Sequence, residues 1–173
     1  MGASGAIIMS FFGACFASLT LLLQLHCSGL VLALPFIGFA AIAIAVRIVA
    51  RLPGSGFERP PGSGRVMMWS SIGEGIGLYV MNLVAINLGH ADWIIPAMAL
   101  VVGLHFIPIA YWAPFRPLYS VAAAIVTGAI VGLAMPQPAG GMVSGFTAAA
   151  ALAVAAIAAV RREKLAKSRT GST

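Results

Sequence analysis

The sequence predicts an all-α membrane protein, a bundle of six transmembrane helices with both termini on the cytoplasmic side. Three observations favour this fold class. Hydrophobic residues make up 61% of the 173 and charged residues only 8%, whereas a water-soluble domain is roughly a quarter charged. Six apolar runs each approach the ~20 residues that cross a bilayer. Every lysine and arginine then falls on one side of the membrane.

The basic residues set the orientation, because cytoplasmic loops retain lysine and arginine. None of the three turns on the other side carries one. This bias explains the net charge of +6. The sequence lacks a basic patch with interleaved aromatic residues, so we expect no nucleic-acid partner. We expect a multi-pass protein of the bacterial inner (plasma) membrane. The basic residues are Arg47, Arg51, Arg59, Arg65, Arg116, Arg161, Arg162, Lys164, Lys167 and Arg169.

The first two predicted spans cover about 6–23 and 29–49, with a short polar turn over 24–28 between them. The first apolar run continues without interruption, so we expect a retained signal-anchor helix. Cys15 and Cys27 are twelve residues apart. That separation is ~18 Å along a helix, too far for a disulfide within the chain.

One loop and a helical hairpin follow. Residues 51–65 contain three arginines and two copies of Pro-Gly-Ser-Gly, a composition typical of a flexible linker. The third span covers about 66–88 and the fourth about 93–112, joined by a tight turn at 89–92. A tryptophan at each end of the fourth span is typical of interfacial anchoring.

The last two predicted spans cover about 118–135 and 142–160. Arg116 lies in the inner turn before them, and two prolines break the chain between them. Residues 1–160 therefore form a single transmembrane domain. The basic cytoplasmic tail, 161–173, is expected to fray or to lie on the inner headgroups.

Small residues predict how the spans associate, since transmembrane helices pack through close backbone approach. Gly73 and Gly77 form one small-xxx-small pair in the third span, and Gly128 and Gly132 form another in the fifth. The sixth span is mostly alanine over 147–159, so it is expected to lie against neighbouring helices or in a homo-oligomer. The alternative is that these residues only reflect composition.

Glu74 is the one acidic residue inside a predicted span. A charge at mid-bilayer costs at least ~2.5 kcal/mol on insertion scales, so its presence favours a function. It lies nine residues beyond Arg65, ~13 Å along a helix and near the middle of the membrane. Ser70 and Ser71 lie one turn earlier and are candidates to hydrogen-bond the carboxyl group. The alternative is a protonated, hydrogen-bonded Glu74 with no further role.

His105 is the predicted partner of Glu74. Reflection of the third span through the tight turn places Glu74 opposite about Pro108, one helical turn from His105. Gly103 is expected to leave room beside the imidazole. A glutamate and a histidine in a low dielectric titrate as a coupled unit and are common in proton relays. Asn82 lies further out on the third span. It is expected to line a polar path from Glu74 to the outer surface or, as an alternative, to hydrogen-bond a neighbouring helix. A neutral core histidine is the alternative for His105.

The outer turns hold metal-ligand residue types without a metal-ligand pattern. His26, Cys27, His90 and Asp92 come from separate turns and lack a pair spacing such as His-x-x-x-His. The glycines around Glu74 lie inside a span and do not form a nucleotide fingerprint. We therefore expect no metal, no cofactor and no catalytic residue. An intramembrane enzyme or a haem protein is the third alternative for the chain.

Three stretches carry a family resemblance. Residues 101–110 are Val-Val-Gly-Leu-His-Phe-Ile-Pro-Ile-Ala, residues 115–119 are Phe-Arg-Pro-Leu-Tyr, and residues 34–38 are Leu-Pro-Phe-Ile-Gly. Over 32–136 the chain resembles a bacterial family of small six-helix integral membrane proteins, a domain of unknown function. The resemblance implies a six-helix bundle and marks the histidine and the proline of the first stretch for testing. It implies no activity.

Transport is the leading functional hypothesis. We expect a small proton- or cation-coupled transporter or channel that uses Glu74 and His105, with Ser70, Ser71 and Asn82 along the same path. The rival hypothesis is a non-transporting accessory or structural subunit of a larger membrane complex, which would dock through the small-residue faces. The expected partners are the lipid bilayer and, through those faces, further copies of the chain.

Overall fold

The computed structural model describes residues 2–56, 61–112 and 116–170, and this part of the chain is helical, with no β-strand. The six-helix fold predicted from the sequence is confirmed. Short 3-10 turns, Gly29–Ala33 and Ala91–Trp93, precede the second and fourth helices. The helices are α1 (Ala3–Leu23), α2 (Leu34–Ala50), α3 (Ser63–Asn87), α4 (Ile94–Trp112), α5 (Pro117–Ala134) and α6 (Ala139–Thr170).

Five of the described helices, all except α3, are long and apolar enough to cross a membrane. These five indicate a membrane protein with transmembrane helices. α3 has 25 residues, or ~37 Å of helix, which exceeds the ~30 Å of a hydrocarbon core. Its glutamate, two asparagines and several glycines lower its hydropathy. α3 is therefore long enough to cross a membrane, and its lower hydropathy sets it apart from the other five helices.

The helices pack as a series of neighbours in the order α2, α1, α6, α5, α4, α3. α6 also contacts α4, so α1, α4, α5 and α6 enclose the core, while α2 and α3 lie at its edges. Met9, Leu118, Ile125 and Leu152 are fully buried in that core. By contrast, Ala85 is the only buried residue among those described in α3. α3 is therefore attached to the bundle chiefly through α4.

α6 fits the centre of the bundle because its residues are small. Four of its alanines are buried in the core cluster. Gly145 leaves no room for a side chain against Thr20 of α1, and Gly141 leaves none against Gln24. The alanine-rich run thus lies against helices of the same chain, which is one of the two arrangements that the sequence predicted.

The predicted pair of Gly128 and Gly132 lies at the contact between α5 and α6. A Cβ atom at Gly128 would lie 2.8 Å from Cγ2 of Thr147, and one at Gly132 would overlap Ser144. Ser144 Oγ lies 2.8 Å from the Gly140 carbonyl oxygen and 3.2 Å from that of Gly128. Its hydroxyl hydrogen is therefore shared between α6 and α5. Close approach and a hydrogen bond join the two helices, as expected where lipid is the solvent.

Of the predicted pair of Gly73 and Gly77, only Gly77 lies at a helix contact in the structure. A Cβ atom at Gly77 would lie 2.9 Å from Cγ1 of Val101, so Gly77 allows α3 to approach α4. A Cβ atom at Gly73 would meet no described neighbour within 4 Å. The helix contact predicted at Gly73 is therefore not made within the described chain, because that position faces away from the bundle.

α6 continues past the predicted end of the sixth span to Thr170. Lys167 Nζ donates to the carbonyl oxygens of Ala50 at 2.7 Å and Leu52 at 3.0 Å, and so caps the C-terminal end of α2. These bonds hold the basic extension against the bundle, so it is not frayed as far as Thr170. The alternative, contact with the inner headgroups, stays a prediction. Residues 171–173 lie outside the described part of the chain.

The first part of the loop between α2 and α3 contacts α6, which differs from the flexible linker predicted for 51–65. Gly54 has a φ of +102°, a left-handed conformation that glycine adopts without steric cost. A side chain at Gly54 would overlap the Lys167 carbonyl group. Thr170 Oγ1 donates to the Ser55 carbonyl oxygen at 3.1 Å. The first Pro-Gly-Ser-Gly copy thus rests on the end of α6, while residues 57–60 lie outside the described chain.

Candidate functional site

The hairpin of α3 and α4 brings the predicted site residues together. Its turn is tight, because Gly89 has a φ of +74° and the His90 amide donates to the Ala85 carbonyl oxygen at 2.8 Å. The His90 imidazole stacks on Trp93 with the ring centroids 4.1 Å apart. Since the two helices run antiparallel from this turn and approach closely at Gly77, residues at equal distances from the turn can meet.

Ser70 fixes one side of the His105 imidazole. The ring Nδ1 lies 3.0 Å from the Ser70 carbonyl oxygen and 3.0 Å from Ser70 Oγ. A carbonyl oxygen can only accept a hydrogen bond, so Nδ1 carries a proton and donates it. The Ser70 hydroxyl group in turn donates to the His105 carbonyl oxygen at 3.2 Å. Nε2 therefore lies on the side of the ring that Ser70 leaves open.

Nε2 of His105 faces the Glu74 carboxyl group. The distance from Nε2 to Glu74 Oε2 is 3.6 Å, within the range of an ion pair but longer than a hydrogen bond. The two side chains are only 9% and 16% exposed. The contact predicted from the hairpin is thus present. When one proton is held by either the carboxylate or Nε2, the pair has no net charge. When that proton is lost, the pair carries one negative charge.

Glu74 and His105 line a cavity of about 350 Å³ between α1, α3 and α4. Each of these helices contributes one face, because its lining residues are three or four positions apart. The lining is apolar apart from Ser71, Glu74 and His105, and it includes the aromatic rings of Phe12 and Phe106. A carboxyl group and an imidazole therefore share an otherwise apolar cavity.

The other predicted residues are divided between the cavity and its surroundings. Ser71 lies on the cavity wall, whereas Ser70 hydrogen-bonds His105 and not Glu74 as predicted. Asn82 lies eight residues beyond Glu74, which is ~12 Å along α3. It is not among the described residues that line the cavity. The polar path predicted from Asn82 to Glu74 therefore does not pass through this cavity.

Gly103 makes room for a helix and not, as predicted, for the imidazole. A Cβ atom at Gly103 would lie 2.7 Å from Cγ2 of Val126 and 3.2 Å from Cγ2 of Ile125. The glycine therefore lets α5 pack closely against α4. This contact lies on the side of α4 that belongs to the packed core.

Sequence reasoning missed α1 as a wall of the cavity. Ile8, Met9 and Phe12 of α1 line it, but the tight turn relates only α3 and α4, which are adjacent in sequence. One available signal was Gly13, where a Cβ atom would lie 3.1 Å from the Ala149 carbonyl oxygen. A glycine in the middle of an apolar span is typical of close helix packing, and here it places α1 against α6.

The outer turns hold the remaining candidates. His90 Nδ1 and Asp92 Oδ1 lie 3.8 Å apart, and His26 and Cys27 belong to the turn after α1. Among the described residues, no group of three or more His, Cys, Asp and Glu side chains is placed to hold a metal ion. By contrast, the structure brings the side chains of Glu74 and His105 together inside the bundle.

Comparisons of the chain with protein-family models, with curated proteins and with solved structures find no match. The resemblance to a bacterial family of small membrane proteins therefore stays a prediction. Part of the second stretch that carries it, Phe115, lies outside the described residues. Function is therefore inferred from the geometry of the site.

Proposed function

We propose that this chain is a small transporter or channel-like protein of the bacterial inner membrane that gains and loses a proton at the pair of Glu74 and His105. In this proposal all six helices cross the bilayer, α3 included, and both termini are cytoplasmic. The length of α3 and the basic residues that flank the apolar runs on one side support this topology.

The contact of Glu74 with His105 beside an apolar cavity is the observation that carries the proposal. An isolated charge at mid-membrane costs at least ~2.5 kcal/mol, and a proton held by the pair removes the net charge. Ser70 holds the imidazole so that Nε2 faces the carboxyl group. A contact that served only packing would need neither a titratable nitrogen nor an adjoining cavity.

The charge balance of the pair defines what it can exchange. The pair is neutral when it holds one proton, which suits the apolar lining. Loss of that proton leaves a negative charge in the cavity, and an unpaired buried charge is costly. A cation that enters offsets this charge, and a returning proton displaces the cation. The pair therefore supports the exchange of one proton for one positive charge.

Proton flux in proteoliposomes tests this function. We expect the wild type to move protons under an imposed pH gradient when a cation is present in the opposite compartment. Glu74→Gln is expected to lower the flux to that of empty liposomes. Asp92→Asn is the matched control, because it also removes one carboxylate but from the exposed outer turn. Equal flux for the wild type and Glu74→Gln would remove Glu74 from the mechanism.

A second candidate function is that of a non-transporting subunit in a larger membrane complex. The outer face of α3 favours it, because a side chain at Gly73 would meet open space and another helix can approach such a position closely. Purification in a mild detergent separates the two functions. A defined homo-oligomer favours the transporter, and a stable complex with other proteins favours the subunit.

A further inference from the structure

We infer that the cavity binds a lipophilic cation, a small molecule with an apolar or aromatic body and one positive charge, which enters from the bilayer between α1 and α3. This inference rests on the proposed function, since it names the class of cation that the proton replaces.

The lining of the cavity selects the sign of the ligand's charge. Among the described residues that line it, Glu74 is the one acid and none is lysine or arginine. His105 from α4 is the other titratable group that faces Glu74, while α1 and α6 present only apolar residues there. The pair without its proton is therefore negative, so it attracts a cation and repels an anion. The rings of Phe12 and Phe106 add a further attraction for cations.

The size and polarity of the cavity favour an organic ligand over an inorganic ion. Its volume of about 350 Å³ is near the lower end of the ~300–1,000 Å³ of small-molecule sites. Met9, Val102 and Ile109 line it with hydrocarbon. A hydrated metal ion would exchange water for these contacts at a large cost in free energy. An apolar body gains from the same contacts, because they remove its surface from water.

The cavity opens on the side of the bundle between α1 and α3. Ile8 is 50% exposed and Phe12 is 42% exposed on the α1 side, and a side chain at Gly75 would meet open space on the α3 side. α1 packs mainly against α6 and α2, whereas α3 packs against α4. In the proposed topology both α1 and α3 cross the bilayer, so lipid tails surround the rim between them. A ligand that partitions into the bilayer can reach the site by this route.

Binding of benzyltrimethylammonium to the full-length protein in lipid nanodiscs tests the inference. Neopentylbenzene is the matched neutral probe, because it has carbon in place of the charged nitrogen. We expect the wild type to bind the cation more tightly than the neutral probe, and Glu74→Gln to weaken cation binding roughly tenfold or more. Binding of the cation should also weaken as the pH falls, because the proton competes for Glu74. Neopentylbenzene should bind equally to the wild type and to Glu74→Gln.

Two results would overturn the inference. One is equal binding of the two probes by the wild type, which would indicate an apolar occupant such as a lipid chain. The other is equal binding of the cation by the wild type and Glu74→Gln, which would place the cation elsewhere. Asp92→Asn serves again as the control and should bind the cation as the wild type does.

Two glycine variants test the location of the site without removing the carboxyl group. Gly75→Leu adds a side chain at the cavity wall, whereas Gly73→Leu adds the same side chain on α3 at a position that does not line the cavity. Both variants should fold, because leucine favours a helix over glycine. We expect only Gly75→Leu to weaken cation binding. Equal binding by the two variants would contradict entry between α1 and α3.

The inference and the proposed function can fail separately. Proton flux that requires Glu74, together with no binding of benzyltrimethylammonium, would reject the lipophilic cation and leave the proton function in place. Cation binding that requires Glu74, together with no flux of protons, would reject transport and leave the binding site in place.

Discussion

The α5–α6 contact and the α3–α4 contact both join neighbouring helices, but they differ in what fills them. Gly128 and Gly132 bring α5 so close to α6 that no larger side chain would fit. Between α3 and α4 only Gly77 makes such an approach among the glycines of α3. The polar part of that contact is made by Ser70 and His105. One contact is closed, and the other borders a cavity.

This difference separates the part of the molecule that supplies stability from the part that carries the chemistry. α5 buries a series of residues that includes Leu118 and Ile125, whereas α3 buries only Ala85 among its described residues. A segment with few buried contacts opens at a lower free energy than the core. Since α3 carries Glu74, we expect motion of α3 against α1 to control access to the carboxyl group.

Gly132→Leu should have the largest effect on the closed contact. The new side chain would overlap Ser144, and overpacking of a filled core costs about 1–3 kcal/mol or more. We expect a large fall in the unfolding temperature in detergent, measured by circular dichroism, and little folded protein in membranes. Gly73→Leu is the control and should unfold like the wild type. Equal unfolding temperatures for the two variants would mean that the contact is not closed.

His105→Gln should abolish function without loss of the fold. The glutamine amide can still donate to the Ser70 carbonyl oxygen, but it has no nitrogen that titrates. We expect proton flux to fall to background while the unfolding temperature stays near that of the wild type. The check is flux measured over a range of pH in proteoliposomes. A variant with the same pH dependence as the wild type would exclude His105 from proton exchange.

Ser70→Ala should have a moderate effect. It removes the hydroxyl group that donates to the His105 carbonyl oxygen and keeps the Ser70 carbonyl group that accepts from Nδ1. The loss in stability should be ~0.6 kcal/mol, the average for a hydrogen bond between transmembrane helices. We expect reduced but measurable flux. Ser71→Ala, on the cavity wall, is the matched control and should be less affected.

Lys167→Met should have the smallest effect on function. Lys167 bonds the C-terminal end of α2 and is not among the described residues that line the cavity. We expect a small decrease in unfolding temperature, because two backbone carbonyl groups lose a charged donor, and no change in flux. Lys164→Met, at an exposed position of the same helix, should change neither quantity. A loss of flux in Lys167→Met would connect the C-terminal end of α6 to the site.

The sequence was sufficient for the elements that depend on local patterns. Apolar runs of near-constant length predicted six helices, and the short turn at 89–92 forced an antiparallel hairpin. From that hairpin alone, the contact of Glu74 with His105 followed. The pairing of Gly128 and Gly132 also appeared as a pattern within one helix, and the structure places that pair at a helix contact.

The features of the fold and of the site that the sequence did not predict depend on contacts between distant parts of the chain. No local pattern specifies these contacts. Gly73 and Gly77 are equivalent by spacing, but only Gly77 faces α4. The extension of α6 is held by Lys167, whose acceptors lie more than 100 residues earlier. The wall that α1 contributes to the cavity follows from its packing on α6. Such pairings are decided by which surfaces fit, and a single sequence does not show that.

The central claim is that Glu74 and His105 exchange a proton as one unit inside the bundle. Infrared difference spectra recorded during a pH change test it most directly, because the chain has only four Asp and Glu residues. We expect a carboxyl band and an imidazole band that change over the same pH interval. In Glu74→Gln the carboxyl band should vanish and the imidazole band should shift to a different interval. Bands that change independently, or a spectrum that Glu74→Gln leaves unaltered, would contradict the claim.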